Sequence, residues 1–491
     1  LMHLASLPSE YGVGTMGAAA RKFADFLSDA GQQYWQLLPI CPTSYGDSPY
    51  QSFSSFAGNP YFIDLEYLCK EKLLKKAECE SFPWGKKADK VDYGVMYESR
   101  YKLLKIAFER FLRAEPDDFE AFCEKEADWL SDYALFMAVK DRFDGVAWNE
   151  WAEDIRLRWS NAMDYYRREL YYEIEFYSYL QFVFMKQWKK LKNYANINGI
   201  EIIGDIPIYV AFDSADAWAN PELFQFDSEN LPTAVAGCPP DGFSADGQLW
   251  GNPLYRWDYH RETGFDWWIR RIAYCSELYD VVRIDHFRGF DEYYSIPYGD
   301  TTARNGHWEK GPGIALFEAA KNRLGELNII AEDLGYITDS VKKLVADSGF
   351  PGMKVLEFAF DSREKSDYLP YTYEKNSVVY TGTHDNETIA GWYAGLDKSD
   401  LKMCTDYMNI DRIPGKEYHW DFIRLAMLSV SDLCVIPIQD YLGLDNRARI
   451  NHPSTLGTNW RWRLAKGQLS ASLLKEIREM TRISGRLQNG E

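Results

Sequence analysis

Three apolar runs in this chain of 491 residues end on carboxylates, each beside a cation or a second polar group. Val281-Val282-Arg283-Ile284-Asp285-His286 is the first and Asn328-Ile329-Ile330-Ala331-Glu332-Asp333 the second. Ser377-Val378-Val379-Tyr380-Thr381-Gly382-Thr383-His384-Asp385 is the third. Side chains alternate along a strand, so Arg283 and Asp285 face the same way, and an adjacent guanidinium keeps a carboxylate ionised and lowers its pKa. That is the state a nucleophilic aspartate needs. Taken singly, a strand-end carboxylate is about as often a helix cap or an ion pair as a catalyst. Three in one chain, with His and Arg adjacent, point to a site. Carboxylate sets without metal ligands suggest glycosyl chemistry, with one carboxylate as nucleophile and a second, held protonated, as acid. Strand parity alone does not choose between Glu332 and Asp333 for the acid.

The elements that must position these groups are short apolar runs at 34–39, 200–210, 279–284, 328–331, 353–360, 377–381 and 434–439, which read as buried parallel strands. Helical patterns at 261–278 and 314–324 precede the strands that end on Asp285 and Glu332. This alternation predicts an α/β fold with a parallel sheet covered by helices. A doubly wound open sheet also places ligands at strand ends, but three carboxylates from three strands favour a (β/α)8 barrel, whose strand ends converge on one axis. We expect residues 1–491 to form a single catalytic barrel domain with two interruptions. Residues 65–198 carry long helical patterns and read as a helical insertion; 211–260, rich in Pro, Gly, Asp and Trp, read as an active-site loop. After Trp462 only 29 residues remain (491 − 462), with one helix expected at 469–483, so no separate C-terminal β-domain is expected.

Composition narrows the partners. Lys and Arg number 55 against 74 Asp and Glu, a net charge of −19, which repels nucleic-acid phosphates and anionic membrane surfaces. No apolar run approaches the ~20 residues of a spanning helix, and the N-terminus has no basic, apolar leader, so a cytoplasmic protein is the expectation. The eight cysteines are scattered, without a C-x-x-C pair or a histidine cluster, and read as reduced thiols rather than disulfides or a zinc site. The 17 Trp, 34 Tyr and 27 Phe serve mostly the core, but flat rings also stack on pyranose faces. Gly12-Val13-Gly14-Thr15-Met16-Gly17 matches a dinucleotide fingerprint in letters only; no strand precedes it, so it reads as a turn.

The motifs R-I-D-H-F-R-G (283–289), A-E-D-L-G (331–335) and G-T-H-D-N (382–386) resemble those of the 4-α-glucanotransferases, also called amylomaltases or disproportionating enzymes, of the α-amylase clan. Further blocks agree over nearly the whole chain: 45–52 and 56–61, I-G-D-I-P-I-Y-V (203–210), P-P-D-G-F-S (239–244), G-Q-L-W-G-N-P (247–253), and N-H-P-S (451–454) with Asn459-Trp460. Two features depart from the pattern. Members usually start a few residues earlier, so Leu1 reads as a truncated edge. Gly242 stands where some members carry a tyrosine, which removes a ring contact from that loop.

The resemblance implies a retaining transferase acting on malto-oligosaccharides and α-1,4-glucans, with no metal or other cofactor. It assigns Asp285 as nucleophile, Glu332 as acid/base and Asp385 as the group that binds ring hydroxyls and stabilises the transition state. A retaining enzyme should hold its nucleophile and acid/base roughly 5–5.5 Å apart. Arg283 would orient Asp285; His286 and His384 would grip hydroxyls. Ser48, Tyr50, Asp241, Gln248, Trp250 and Asn451 are the further substrate-binding candidates; taken singly, several also read as turn or packing residues. Asp205 reads equally as a buried structural group. A retaining α-glucan hydrolase and a silent glucan-binding protein are the competing readings.

Overall fold

A computed structural model describes residues 1–44, 46–113, 117–240, 244–363, 365–411 and 417–488. Eleven strands occur among them: β1 (Tyr34–Gln36), β2 (Glu201–Pro207), β3 (Ala234–Cys238), β4 (Gln248–Pro253), β5 (Val281–Asp285), β6 (Glu292–Pro297), β7 (His307–Lys310), β8 (Ile329–Ala331), β9 (Gly352–Val355), β10 (Ser377–Tyr380) and β11 (Leu433–Val435).

Seven of these form the barrel. β1, β2, β5 and β8 pair in parallel in that order, as do β9, β10 and β11. Two seams join the groups. Ala331 N–H donates to Pro351 O at 3.0 Å beside β8 and β9. At the other seam Leu1 and Met2 act as the eighth stave. The Leu1 amine donates to Ile436 O at 2.8 Å, Ile438 N–H to Leu1 O at 3.1 Å, and Met2 N–H to Gln36 O at 3.0 Å. The expected barrel arrangement is therefore present, with Leu1 and Met2 hydrogen-bonded between Ile436 and Gln36.

The strands are short because each spans only the barrel's buried waist. β8 and β10 are buried at every position, as expected of a sheet covered on both faces. The 353–360 run stops being a strand at Val355 and turns into a 3-10 segment, Leu356–Phe358. The 261–278 pattern breaks into helices Trp257–Glu262 and Asp266–Leu278, separated by left-handed Gly264 (φ 65°) and Phe265 (φ 59°).

Eight helices lie between Leu65 and Ile197, and no strand occurs among the described residues there. The longest, Tyr171–Ile197, faces both ways. Its Phe176 and Tyr179 pack on Phe108 of helix Tyr93–Phe111. Its Trp188 donates to Leu278 O and packs on Tyr279 at the foot of β5. The same helix reaches the loop behind Tyr50, where Gln181 accepts from Gly58 N–H at 2.7 Å and Gln187 from Asp64 N–H at 2.6 Å.

The 211–260 stretch is more ordered than a loop. β3 and β4 pair antiparallel and join β6 and β7 in a sheet of order β4-β3-β6-β7. Periodicity was a poor guide here because β4 (Gln-Leu-Trp-Gly-Asn-Pro) is interrupted by glycine and ends on proline. No helix among the described residues is long and apolar enough to cross a membrane.

Candidate active site

The site is built at the C-terminal ends of the barrel strands. The β2–β5 register sets Asp205 opposite Arg283, so the two side chains share a face. Arg283 Nη1 donates to both oxygens of Asp205, at 2.7 and 2.8 Å, and its Nη2 donates to Asp285 Oδ1 at 3.0 Å. Its Nε points at Met353 Sδ, and only 4 % of the side chain is exposed. Arg283 therefore holds Asp285 in place; with its donors turned inward it has no free face for a sugar.

Asp285 itself departs from the sequence expectation. Arg283 does lower its pKa, but burial and the negative charge of Asp205 outweigh it, and the carboxyl is raised to about 6. The guanidinium is divided between two carboxylates, which a reading of the strand alone could not include. Asp285 remains ionised at neutral pH.

β8 pairs with β5 so that Ala331 lies opposite Ile284, which sets Glu332 beside Asp285. Backbone geometry then orients Glu332. His286, in the left-handed region (φ 55°), turns its N–H to Glu332 Oε2 at 2.6 Å, and Leu334 N–H donates to Oε1 at 2.8 Å. Burial, with the Asp285 charge next to it, pushes the Glu332 carboxyl up to about 8. Asp333 points the other way, accepts from Met353 N–H at 2.7 Å and fills the space above Gly352, where a Cβ would lie 2.6 Å from it. Glu332 therefore lies on the Asp285 side, and Asp333 supports β9.

Asp385 lies beyond β10 and is the open member, with 48 % of its side chain exposed. Asn451 Nδ2 donates to its Oδ1 at 2.6 Å, and His384 Nε2 lies 3.4 Å from the same atom. The negative charge of Asp385 adds to what raises the Asp285 carboxyl. Tyr50 links this group to the first: its hydroxyl donates to Asp205 Oδ2 at 2.6 Å, and its ring stacks on His384 at 4.9 Å.

On the other flank the Trp250 ring stands perpendicular to His286 at 4.8 Å, and Gln248 accepts from Trp250 Nε1 at 3.0 Å. Burial and the Arg288 charge push the His286 pKa down to about 3, so the ring is neutral, and its Nε2 has no hydrogen-bond partner among the described residues. Ser48 sits behind Tyr50, accepting from its backbone N–H at 3.3 Å, as a turn residue does. Asp241 and Gly242, like Tyr45, lie outside the described residues.

Sequence reasoning missed two members. Arg449 Nη2 donates to Asp385 O and its Nε to Asn451 O, and Trp460 packs against both Tyr50 and His384. Their only signal was proximity to the C-terminal motif block.

The arrangement sets two carboxyls, both raised by burial, on neighbouring strand ends and a more open third beside them with imidazole and amide groups, which is the equipment for displacement at an acetal carbon. Known proteins resemble the chain over nearly its whole length. The family profile described as 4-alpha-glucanotransferase matches residues 2–469. A 4-alpha-glucanotransferase from Clostridium butyricum is 47 % identical over 487 residues, covering 99 % of this chain and 100 % of that one. Another from Thermus thermophilus is 47 % identical over 496 residues, covering 99 % and 98 %. The solved amylomaltase from Streptococcus agalactiae, in complex with acarbose, superposes with a TM-score of 0.96 at 42 % identity, covering 99 % of each chain. On fold, site and sequence together, this chain belongs to the 4-alpha-glucanotransferase family.

Proposed function

We propose that Asp285, Glu332 and Asp385 carry the 4-α-glucanotransferase reaction in this protein as a double displacement on α-1,4-linked glucose. An oxygen of Asp285 attacks the anomeric carbon and the bond to the leaving O4 breaks. Glu332 delivers its proton to that O4, and the shortened glucan leaves with a free 4-OH. The acceptor's 4-OH then returns a proton to Glu332 and attacks the same carbon, releasing Asp285. Two inversions retain the α configuration. Asp385, with His286 and His384, binds hydroxyls of the distorted ring and is worth most in the transition state. The observation that carries this reading is two carboxyls on neighbouring strand ends held by different partners: Asp285 by the Arg283 guanidinium at 3.0 Å, and Glu332, raised by burial beside the Asp285 charge, by the backbone N–H groups of His286 and Leu334 at 2.6 and 2.8 Å.

Both a transferase and a hydrolase share the first half. Transfer needs an acceptor sugar to outcompete water, and Trp250 against His286 with Tyr50 against His384 supply aromatic walls for one. The substrates are malto-oligosaccharides and α-1,4-glucans. We also place the protein in the cytoplasm, supported by its acidic charge and by eight cysteines scattered without a disulfide framework. Incubation with maltotriose tests the reading: glucose together with longer oligomers is expected. Shorter sugars alone would make it a hydrolase, and unchanged maltotriose a binding protein.

A further inference from the structure

Residues 381–389 lead from β10 to the helix Ile389–Gly395, with Asp385 at their crest. About half of the Asp385 side chain is exposed, so its direction comes mainly from the chain that carries it. Within the segment the bonds are local. Asn386 Oδ1 accepts from Thr383 N–H at 2.9 Å and from Thr383 Oγ1 at 2.8 Å, and Asp385 N–H donates to Thr383 Oγ1 at 3.2 Å. These bonds shape the turn but do not tie it to the barrel.

That tie comes from the stretch after β11. Asp440, on the short helix Ile438–Tyr441, is 1 % exposed and has no part in the mechanism above. Thr381 Oγ1 donates to its Oδ2 at 2.5 Å, and Ile389 N–H donates to its Oδ1 at 2.8 Å. The Ile389 N–H lies in the first turn of its helix, where the helix supplies no acceptor of its own. Burying a carboxyl is costly unless its oxygens accept hydrogen bonds. Both oxygens of Asp440 are engaged by this one segment, on either side of Asp385. Further along, Asn446 accepts from Thr388 N–H at 3.2 Å, and a Cβ at Gly391 would lie only 2.2 Å from its Oδ1. Arg449 Nη2 then reaches Asp385 O at 2.6 Å. The two stretches are thus fitted to each other along their length.

We propose that Asp440 is a positioning residue for Asp385: by clasping both ends of the segment 381–389 it fixes the turn between them relative to β10 and β11. This rests on the role given to Asp385 above. Asp440→Asn keeps one oxygen for Ile389 N–H, and its amide can donate to Thr381 Oγ1, since a hydroxyl accepts as well as donates. Asp440→Ala keeps neither bond, and Thr381→Val removes one.

The test is steady-state kcat and KM on maltotriose, with thermal melting, for Asp440→Ala, Asp440→Asn and Thr381→Val, each also combined with Asp385→Asn. Asp440→Ala is expected to lower kcat about tenfold or more with KM nearly unchanged, because the lost bonds are felt where Asp385 is worth most. Asp440→Asn should restore kcat to within about threefold of the parent. Thr381→Val should fall between the two. Combined with Asp385→Asn, the same changes should cost less than about twofold, because the group they direct is already gone. Undiminished losses in that background would make Asp440 a support for the fold alone and overturn the proposal. Parent-like kcat in folded Asp440→Ala overturns it too, as does failure of Asp440→Asn to rescue. If Asp440→Ala does not fold, Thr381→Val decides: parent-like kcat, or an undiminished loss beside Asp385→Asn, overturns the proposal. Parent-like turnover in Asp385→Asn by itself would instead remove the role of Asp385.

Discussion

The carboxyls at the ends of β5 and β8 are set by burial and charge, whereas the one at the end of β10 is set by a hydrogen-bonded turn. Glu332 is 8 % exposed, and Asp285 is held on a guanidinium that is itself sealed in the barrel. Asp385 keeps about half its side chain in the open and owes its place to Asn451, Asn386 and Arg449. The difference matches the tasks proposed for them. A nucleophile and an acid need opposite protonation states at one pH, which a dry site beside a fixed charge can impose. A group that binds hydroxyls needs direction more than a shifted pKa, and a turn supplies direction.

The comparison is most sharply broken by removing the covalent step. Asp285→Asn is expected to lower turnover by about four orders of magnitude or more while leaving melting behaviour intact, since an amide is no nucleophile. Product analysis on maltotriose reads it, and parent-like activity would remove Asp285 from the mechanism.

Glu332→Gln should cost about a thousandfold on maltotriose but far less on a maltosyl fluoride, whose leaving group needs no proton in the first half-reaction. Equal losses on both donors would contradict its role as acid. The same variant should melt at a higher temperature at pH 7. A carboxyl raised in the fold contributes stability that is complete below its unfolded pKa and lost as pH rises through about 8, and neutral glutamine escapes that loss.

The buried pair also predicts the pH profile of kcat/KM. Asp285 must be ionised, so activity falls below about pH 6; Glu332 must be protonated, so it falls above about pH 8. Each limb should approach a tenfold loss per pH unit. A profile flat from pH 5 to 9 would undo the assignment.

On the open side of the comparison, Asn451→Ala should reduce kcat by roughly 10-fold, the order of one charge-assisted hydrogen bond, with both pH limbs unmoved. Movement of the acidic limb would mean that Asp385 acts on Asp285 by charge rather than by direction. Smallest of all, Tyr50→Phe removes one donor to Asp205 but keeps the ring on His384, and should cost about threefold.

The sequence carried the fold class because each barrel strand is a short apolar run bounded by a chemical residue, as at Val281–Asp285 and Ile329–Ala331. It also carried the family, through motifs that span nearly the whole chain. It read 211–260 as a loop because the strands there are short and broken by glycine, and it missed the stave at Leu1–Met2 because two residues have no period. Arg449 and Asp440 were invisible for a related reason: each acts through a hydrogen bond to a residue far along the chain, 64 positions away for Arg449 to Asp385 and 59 for Asp440 to Thr381.

By itself, then, the sequence determined which residue types stand at the strand ends and hence the class of chemistry. Only the tertiary structure decided that Glu332 rather than Asp333 faces Asp285, and that Asp285 is raised rather than lowered. Its neighbour Arg283 is fixed by the sequence, but the division of that charge with Asp205, 78 residues from Arg283 in sequence on β2, exists only once two strands pair. A pKa is a property of everything within a few ångströms, and in a barrel those neighbours come from strands that the chain visits far apart.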